Sequence, residues 1–185
     1  MSKSPPYPAL FLDRDGVVNK EDGYIDSILR IRFTEHIFDL CRFFKQKSYK
    51  IIIVTNQSGI GRGIISPDQY DSINSFILNR FENENCAIDL ILTASVDPTN
   101  KDSHPEEISL RKPNPGMLLK AKSELNLNLN ESLLIGDNLT DMRAGKSAMI
   151  PRLYLVKTPP VHSEYFESFI DLESCLVRLK HVFHT

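Results

Sequence analysis

The sequence predicts an α/β protein, a doubly wound parallel sheet with helices on both faces. Three observations carry that prediction. Apolar runs recur at residues 9–12, 49–55, 88–93, 133–137 and 153–156, each short enough for a buried strand. Segments with apolar residues at helical spacing separate them, and an alternation of strand and helix builds parallel sheets. Several runs end in a polar group (Asp13, Thr55, Asp137), at the sheet edge where open α/β folds bind ligands.

The first run, Ala9-Leu10-Phe11-Leu12, leads straight into Asp13-Arg14-Asp15 and turns at Gly16. Side chains alternate along a strand, so Asp13 and Asp15 are expected to point the same way. Two like charges there repel unless a cation or a shared proton lies between them. Residues 16–33 read as an irregular or hairpin-like excursion over the site. Thr34 is expected to cap a helix to about residue 47, with Ile37, Leu40, Cys41 and Phe44 as its apolar stripe. His36, in the first turn, reads as a surface residue.

The second run ends at Thr55 and opens into Asn56-Gln57-Ser58-Gly59-Ile60-Gly61-Arg62-Gly63. Backbone N–H groups of such a stretch can cradle a phosphate. Its glycines do not fit the dinucleotide pattern, and no helix is expected to start at once. Ser66-Pro67-Asp68-Gln69 carries the helix start instead: a cap, a proline at the first position and a glutamine three on. That helix is expected to reach residue 83 and to bury Ile73, Ile77 and Phe81.

Residues 95–112 read as a long polar loop holding Asp97, Asp102, His104, Glu106 and Glu107. A solvated acidic loop is the first reading and a metal site at His104 the second, since nothing there has metal-ligand spacing. Pro113 and Pro115 make a stiff entry to a helix ending near residue 125, with Leu118, Ala121 and Leu125 buried. They also aim Arg111 and Lys112. Asp141 falls in the first turn of a helix beginning near Asn138, where the helix dipole favours an acid. Thr158-Pro159-Pro160 breaks the chain. A short strand at 169–170 and a helix over 172–181 close it, with His181 and His184 facing solvent.

Composition bounds the rest. The 185 residues are expected to form one domain over 1–185 with a full-sized core. A net charge of -2 gives no footprint for nucleic acid or an anionic membrane. The proline-bearing start is not expected to act as a signal peptide, and no run approaches membrane-spanning length. Cys41, Cys86 and Cys175 are scattered and read as core residues of a chain kept in a reducing, cytoplasmic setting. The expected state is a monomer acting on a small molecule.

Right-handed crossovers put all strand ends on one edge, so Asp13, Asp15, Thr55, Lys112 and Asp137 should converge. Three carboxylates can hold one Mg²⁺. A hydroxyl, amides and a lysine can seat a phosphoryl group. Asp13 is placed to attack phosphorus, and Asp15 to protonate the leaving oxygen.

Asp13-Arg14-Asp15-Gly16-Val17, Thr55-Asn56, Lys112-Pro113 and Gly136-Asp137-Asn138-Leu139-Thr140-Asp141 resemble the four motifs of the haloacid dehalogenase superfamily of phosphohydrolases. Within it, Phe11 to Gly16, Thr55 to Ile60, Arg62-Gly63 and Arg111 to Leu118 resemble the heptose 1,7-bisphosphate phosphatases and their histidinol-phosphatase relatives. The resemblance implies a Rossmann-like fold without a large cap domain. It implies Asp13 as nucleophile and Asp15 as acid–base. Mg²⁺ would be held by Asp13, the carbonyl of Asp15 and Asp137. Thr55 and Lys112 would stabilise the phosphoryl group. The substrate-binding positions it implies are Glu21, Asp22, Gly23, Tyr24, Asn56, Gln57, Ser58, Arg62, Arg111 and Asn138.

Two departures stand out. Relatives carry a Cys-rich zinc loop before Arg-Lys-Pro, whereas residues 93–110 here contain no cysteine, so no structural zinc is expected. Asn138 stands where relatives often have lysine. The implied activity is a magnesium-dependent sugar-bisphosphate phosphatase. Its alternatives are a histidinol-phosphate or other small phosphomonoester phosphatase and, from another class, a noncatalytic phospho-acceptor domain.

Overall fold

A computed structural model describes residues 5–100 and 104–183. Asp102 and His184 lie outside the described residues. Six parallel strands form one sheet: β1 (Ala9–Leu12), β2 (Lys50–Asn56), β3 (Leu90–Ala94), β4 (Leu133–Gly136), β5 (Arg152–Val156) and β6 (Glu167–Phe169). Their spatial order is β3-β2-β1-β4-β5-β6. β1 lies between β2, where Leu10 pairs with Ile51, and β4, where it pairs with Leu133. The strand order reverses between β1 and β4, and the crevice beyond their carboxyl ends is the topological switch point.

The central strands are buried on both faces, so they read as continuous apolar runs. Leu10, Leu12, Ile51 and Ile53 face one core. It is closed by α1 (Ile37–Gln46), α3 (Pro67–Asn83) and α7 (Leu172–Phe183). Ala9, Phe11, Ile52 and Val54 face the other core, closed by α5 (Gly116–Leu125) and α6 (Leu139–Ser147). Each fully buried Leu, Ile or Phe contributes about 1.5–3 kcal/mol. α3 begins where its sequence signals it, with Ser66 and Gln69 forming a reciprocal capping box.

Some local expectations fail for identifiable reasons. Thr34 does not cap α1. Its N–H donates to Val18 O at 3.1 Å and Phe33 bridges to Asn19, which commits the backbone elsewhere. α1 starts three residues later, after His36 in a left-handed conformation (φ 65°). A four-residue helix, α2 (Ser58–Gly61), follows β2 directly, where a non-helical stretch was expected. α4 (Pro105–Leu110) occupies the end of the long loop, with Pro105 in its first turn. Leu125 is only partly buried at the end of α5, and Met117 at its start is buried beside Leu118 and Ala121. The excursion after β1 contains a short 3₁₀ turn, Ile28–Arg30, whose cap is Ser27. No helix among the described residues is long and apolar enough to cross a membrane.

Candidate active site

The site grows out of the β1 ladder. Asp13 N–H still donates to Ile135 O on the β4 side, at 3.0 Å, so the sheet positions Asp13 before the chain leaves it. Gly16 then turns with φ 87°, a conformation that L side chains rarely adopt. A Cβ there would overlap the Asp137 carboxylate, so Gly16 also makes room for Asp137 at the end of β4.

Lys112 lies at the centre of the charges. Its ammonium is 2.7 Å from Asp13 Oδ1 and 2.6 Å from Asp141 Oδ1, and it donates to Val54 O at 2.8 Å. Reciprocal bonds hold its backbone: Lys112 N–H donates to Asn56 Oδ1 and Asn56 Nδ2 donates to Lys112 O, both at 3.0 Å. Asn56 at the end of β2 thus fixes the Arg111-Lys112 pair. Asp141, fully buried on α6, accepts the Asn138 N–H at 3.0 Å in a capping box. Asn138 Oδ1 caps the same helix through Thr140 N–H.

Carboxylate oxygens of Asp13, Asp137 and Asp141 lie within 4.8 Å of one another, and they form the single such acidic or mixed-ligand group among the described residues. Burial pushes the Asp13 carboxyl well above its ordinary value, against the pull of Lys112 and with added repulsion from Asp141 and Asp137. Burial and the charges of Asp141 and Glu21 push Asp137 up to about 6. Burial works against the Lys112 ammonium, but Asp13 and Asp141 outweigh it and hold its pKa above the usual lysine value. One cation does not balance three crowded carboxylates. The surplus is the electrostatic condition of a divalent-cation site, and all-oxygen donors suit a hard ion such as Mg²⁺.

The carboxylate of Asp15 stands apart from this cluster. It accepts from Asn19 Nδ2 at 2.9 Å, Gln57 Nε2 at 2.7 Å and the Arg14 guanidinium at 3.1 Å. Thr55 Oγ1 accepts from the same Gln57 nitrogen at 2.8 Å.

All the expected site residues except Asp22 and Arg62 border one open cleft of about 640 Å³. Asp22 is turned to Arg30, which takes the Asp22 and Tyr24 carbonyls at 2.5 and 2.7 Å. Arg62 bridges the Tyr24 hydroxyl and Asp97 Oδ1, each at 3.1 Å. Arg111 reaches back to Val96 O at 3.4 Å. His104 is exposed at the start of α4 and joins no ligand group among the described residues. Sequence reasoning missed three residues: Asp141, read as a helix-dipole acid, and Arg14 and Asn19, not singled out at all. The signal for Asp141 was its place in the first turn of α6, which starts directly after Asp137 at the end of β4.

Fold and site together define a carboxylate-centred α/β hydrolase. The chain belongs to the haloacid dehalogenase-like hydrolase family, which it matches over residues 7–148. It is 40% identical over 168 residues to the D-glycero-alpha-D-manno-heptose-1,7-bisphosphate 7-phosphatase of Campylobacter jejuni, covering 91% of this chain and 93% of that one. It is 34% identical over 180 residues to the D-glycero-beta-D-manno-heptose-1,7-bisphosphate 7-phosphatase of Haemophilus influenzae, covering 93% and 98%. The crystal structure of D,D-heptose 1,7-bisphosphate phosphatase from B. bronchiseptica, complexed with magnesium and phosphate, has the same fold (TM-score 0.80, 22% identity, 95% and 99% covered).

Proposed function

We propose that this hydrolase removes the 7-phosphate of D-glycero-D-manno-heptose 1,7-bisphosphate, leaving the 1-phosphate. One observation carries the reading: the 40% identity to a phosphatase of that name extends over nearly the whole of both chains. The strand-end site offers the groups such a reaction needs. The Asp13 carboxylate attacks phosphorus as the ester P–O bond breaks, and Asp15 gives its proton to the departing sugar oxygen. Asp15 then takes a proton from water, which attacks the aspartyl phosphate. Phosphate leaves and Asp13 is restored. Thr55 and Lys112 stabilise the transferring phosphoryl group. Asp13, the Asp15 carbonyl and Asp137 would hold Mg²⁺, with Asp141 behind them. When bound, the ion supplies charge neutralisation for the phosphoryl oxygens.

Phosphate release from a panel of phosphorylated metabolites tests the assignment. The panel includes both anomers of the heptose bisphosphate and histidinol phosphate. The heptose bisphosphate is expected to show the highest kcat/KM, and a clear preference for histidinol phosphate would overturn the substrate.

Arg111 selects the substrate in this reading, because a guanidinium suits a second phosphate or a hydroxyl-rich sugar. Arg111→Ala is expected to lower kcat/KM for the bisphosphate at least tenfold more than for an aryl phosphate, roughly the worth of one charged hydrogen bond. Equal losses on the two substrates would remove Arg111 from that role.

Magnesium affinity should depend on pH. Asp137 titrates at about 6 in the metal-free site. The ion must displace protons from Asp137 and from Asp13, whose carboxyl burial raises as well, so apparent affinity is expected to fall as pH drops toward and below 6. Isothermal titration at stepped pH reads this directly, and a flat profile from pH 5 to 7.5 would contradict it.

The chain carries no structural zinc in this reading. Cys41 and Cys175 are buried in α1 and α7, and Cys86 is buried after α3. Elemental analysis of untagged protein checks this. About one tightly held zinc per chain, lost together with thermal stability on chelation, would refute it.

A further inference from the structure

Both oxygens of the Asp15 carboxylate are occupied by side-chain donors. Oδ1 accepts Asn19 Nδ2 at 2.9 Å and the Arg14 Nε and Nη2 groups at 3.4 and 3.3 Å. Oδ2 accepts Gln57 Nε2 at 2.7 Å and Arg14 Nη2 at 3.1 Å. These donors are themselves shut away from water: Arg14 is 1% exposed, Asn19 0% and Gln57 5%. Arg14 Nη1 is buried with no hydrogen-bond partner among the described residues.

A guanidinium is costly to bury, and an apolar side chain would fill the same space with less penalty. Its forked contact with Asp15 is its one ion pair among the described residues. A fork of this kind fixes the plane of a carboxylate as well as its position. Gln57 adds a second constraint. Its Nε2 carries two hydrogens, one donated to Asp15 Oδ2 and one to Thr55 Oγ1 at 2.8 Å. The carboxylate is therefore held in register with the hydroxyl at the end of β2.

We propose that Arg14, Asn19 and Gln57 are positioning residues that aim the Asp15 carboxylate at the leaving oxygen. Gln57 acts there by tying Asp15 to Thr55, since its amide nitrogen is spent on those two groups. The inference rests on Asp15 being the acid–base of the proposed phosphatase. It differs from the reading of Gln57 as a sugar contact.

Ring-substituted phenyl phosphates separate the two roles, because they share one body and differ in how much their leaving oxygen needs a proton. Nitrophenolate departs readily without one, whereas phenolate does not. Wild type, Asp15→Asn, Gln57→Met, Arg14→Met and Arg14→Lys are compared by kcat/KM across the series, with melting temperatures recorded. Gln57→Met and Arg14→Met are expected to lose about tenfold more activity on phenyl phosphate than on p-nitrophenyl phosphate, within the range that positioned acids supply. Asp15→Asn should show the same tilt more strongly, and Arg14→Lys should recover part of it. If Arg14→Met fails to fold, Gln57→Met and Arg14→Lys still report the slope. A loss equal across the series, or a raised KM for the heptose bisphosphate with an unchanged slope, would overturn the clamp. A wild type inactive on every phosphate, or an Asp15→Asn variant with unaltered slope, would instead strike the acid–base reading beneath it.

Discussion

Asp13→Asn is expected to abolish turnover, by on the order of 10⁴–10⁶-fold, the scale on which loss of an enzyme's nucleophile is felt. An amide is a poor nucleophile and a poorer metal ligand. The substitution removes little else: shape is conserved, the Ile135 ladder bond is made by the backbone, and an amide oxygen can still accept from Arg14 N–H and Lys112. It also removes one of the charges that crowd the site, so the folded variant should melt no lower than wild type without metal. Steady-state phosphate release and a melting curve together make the test. Near-normal turnover by the folded variant would end the covalent mechanism.

Lys112→Met carries the largest expected effect on stability. The variant keeps the buried carboxylates of Asp13 and Asp141 and removes the cation between them. Val54 O also loses its donor. Removing one member of a buried ion pair costs about 3–5 kcal/mol. At about 2–4 °C per kcal/mol in a domain of this size, Tm should fall by roughly 6–20 °C in chelator. The loss should shrink as the pH is lowered, because Asp13, whose carboxyl burial raises well above its ordinary value, then takes up a proton and no longer needs the cation. Added magnesium should recover part of it, since a ligand that binds only the folded state stabilises that state. Turnover should fall about 10²–10³-fold with the loss of one preorganised cation. An unchanged Tm at neutral pH in chelator would show that Lys112 is not the counter-charge the geometry makes it.

The legible parts of the sequence are those with a short-range cause. Apolar runs of four or five residues marked β1, β2, β4 and β5 because both faces of the central sheet are covered. Ser66 and Gln69 marked the start of α3 because a capping box is local. Asp13, Thr55 and Asp137 were placed together because parallel strands put their carboxyl ends on one edge. Failures arose where distant contacts decide. Thr34 has a good cap residue's chemistry, yet the bridge from Asn19 to Phe33 claims its backbone. Asp141 satisfies the helix-dipole rule at its own position, and that local sufficiency hid its pairing with Lys112, 29 places earlier in the chain. Arg14 looks like a spacer between two acids, and only its burial shows otherwise.

Arg62 has a consequence for how such a protein can change its diet. Its guanidinium ties the Tyr24 hydroxyl of one rim loop to Asp97 of another, and neither bond reaches the reacting carboxylates. Val96, next to Asp97, in turn receives Arg111. The mouth of the cleft is thus trussed like a bridge deck above the carboxylates clustered at the ends of β1 and β4. Grafting a foreign loop at residues 21–24 would cut one strut and slacken the segment at 95–99, disturbing Arg111 from a distance. Exchanging both rim segments together with Arg62, which spans them, would keep the truss whole and leave the strand ends untouched.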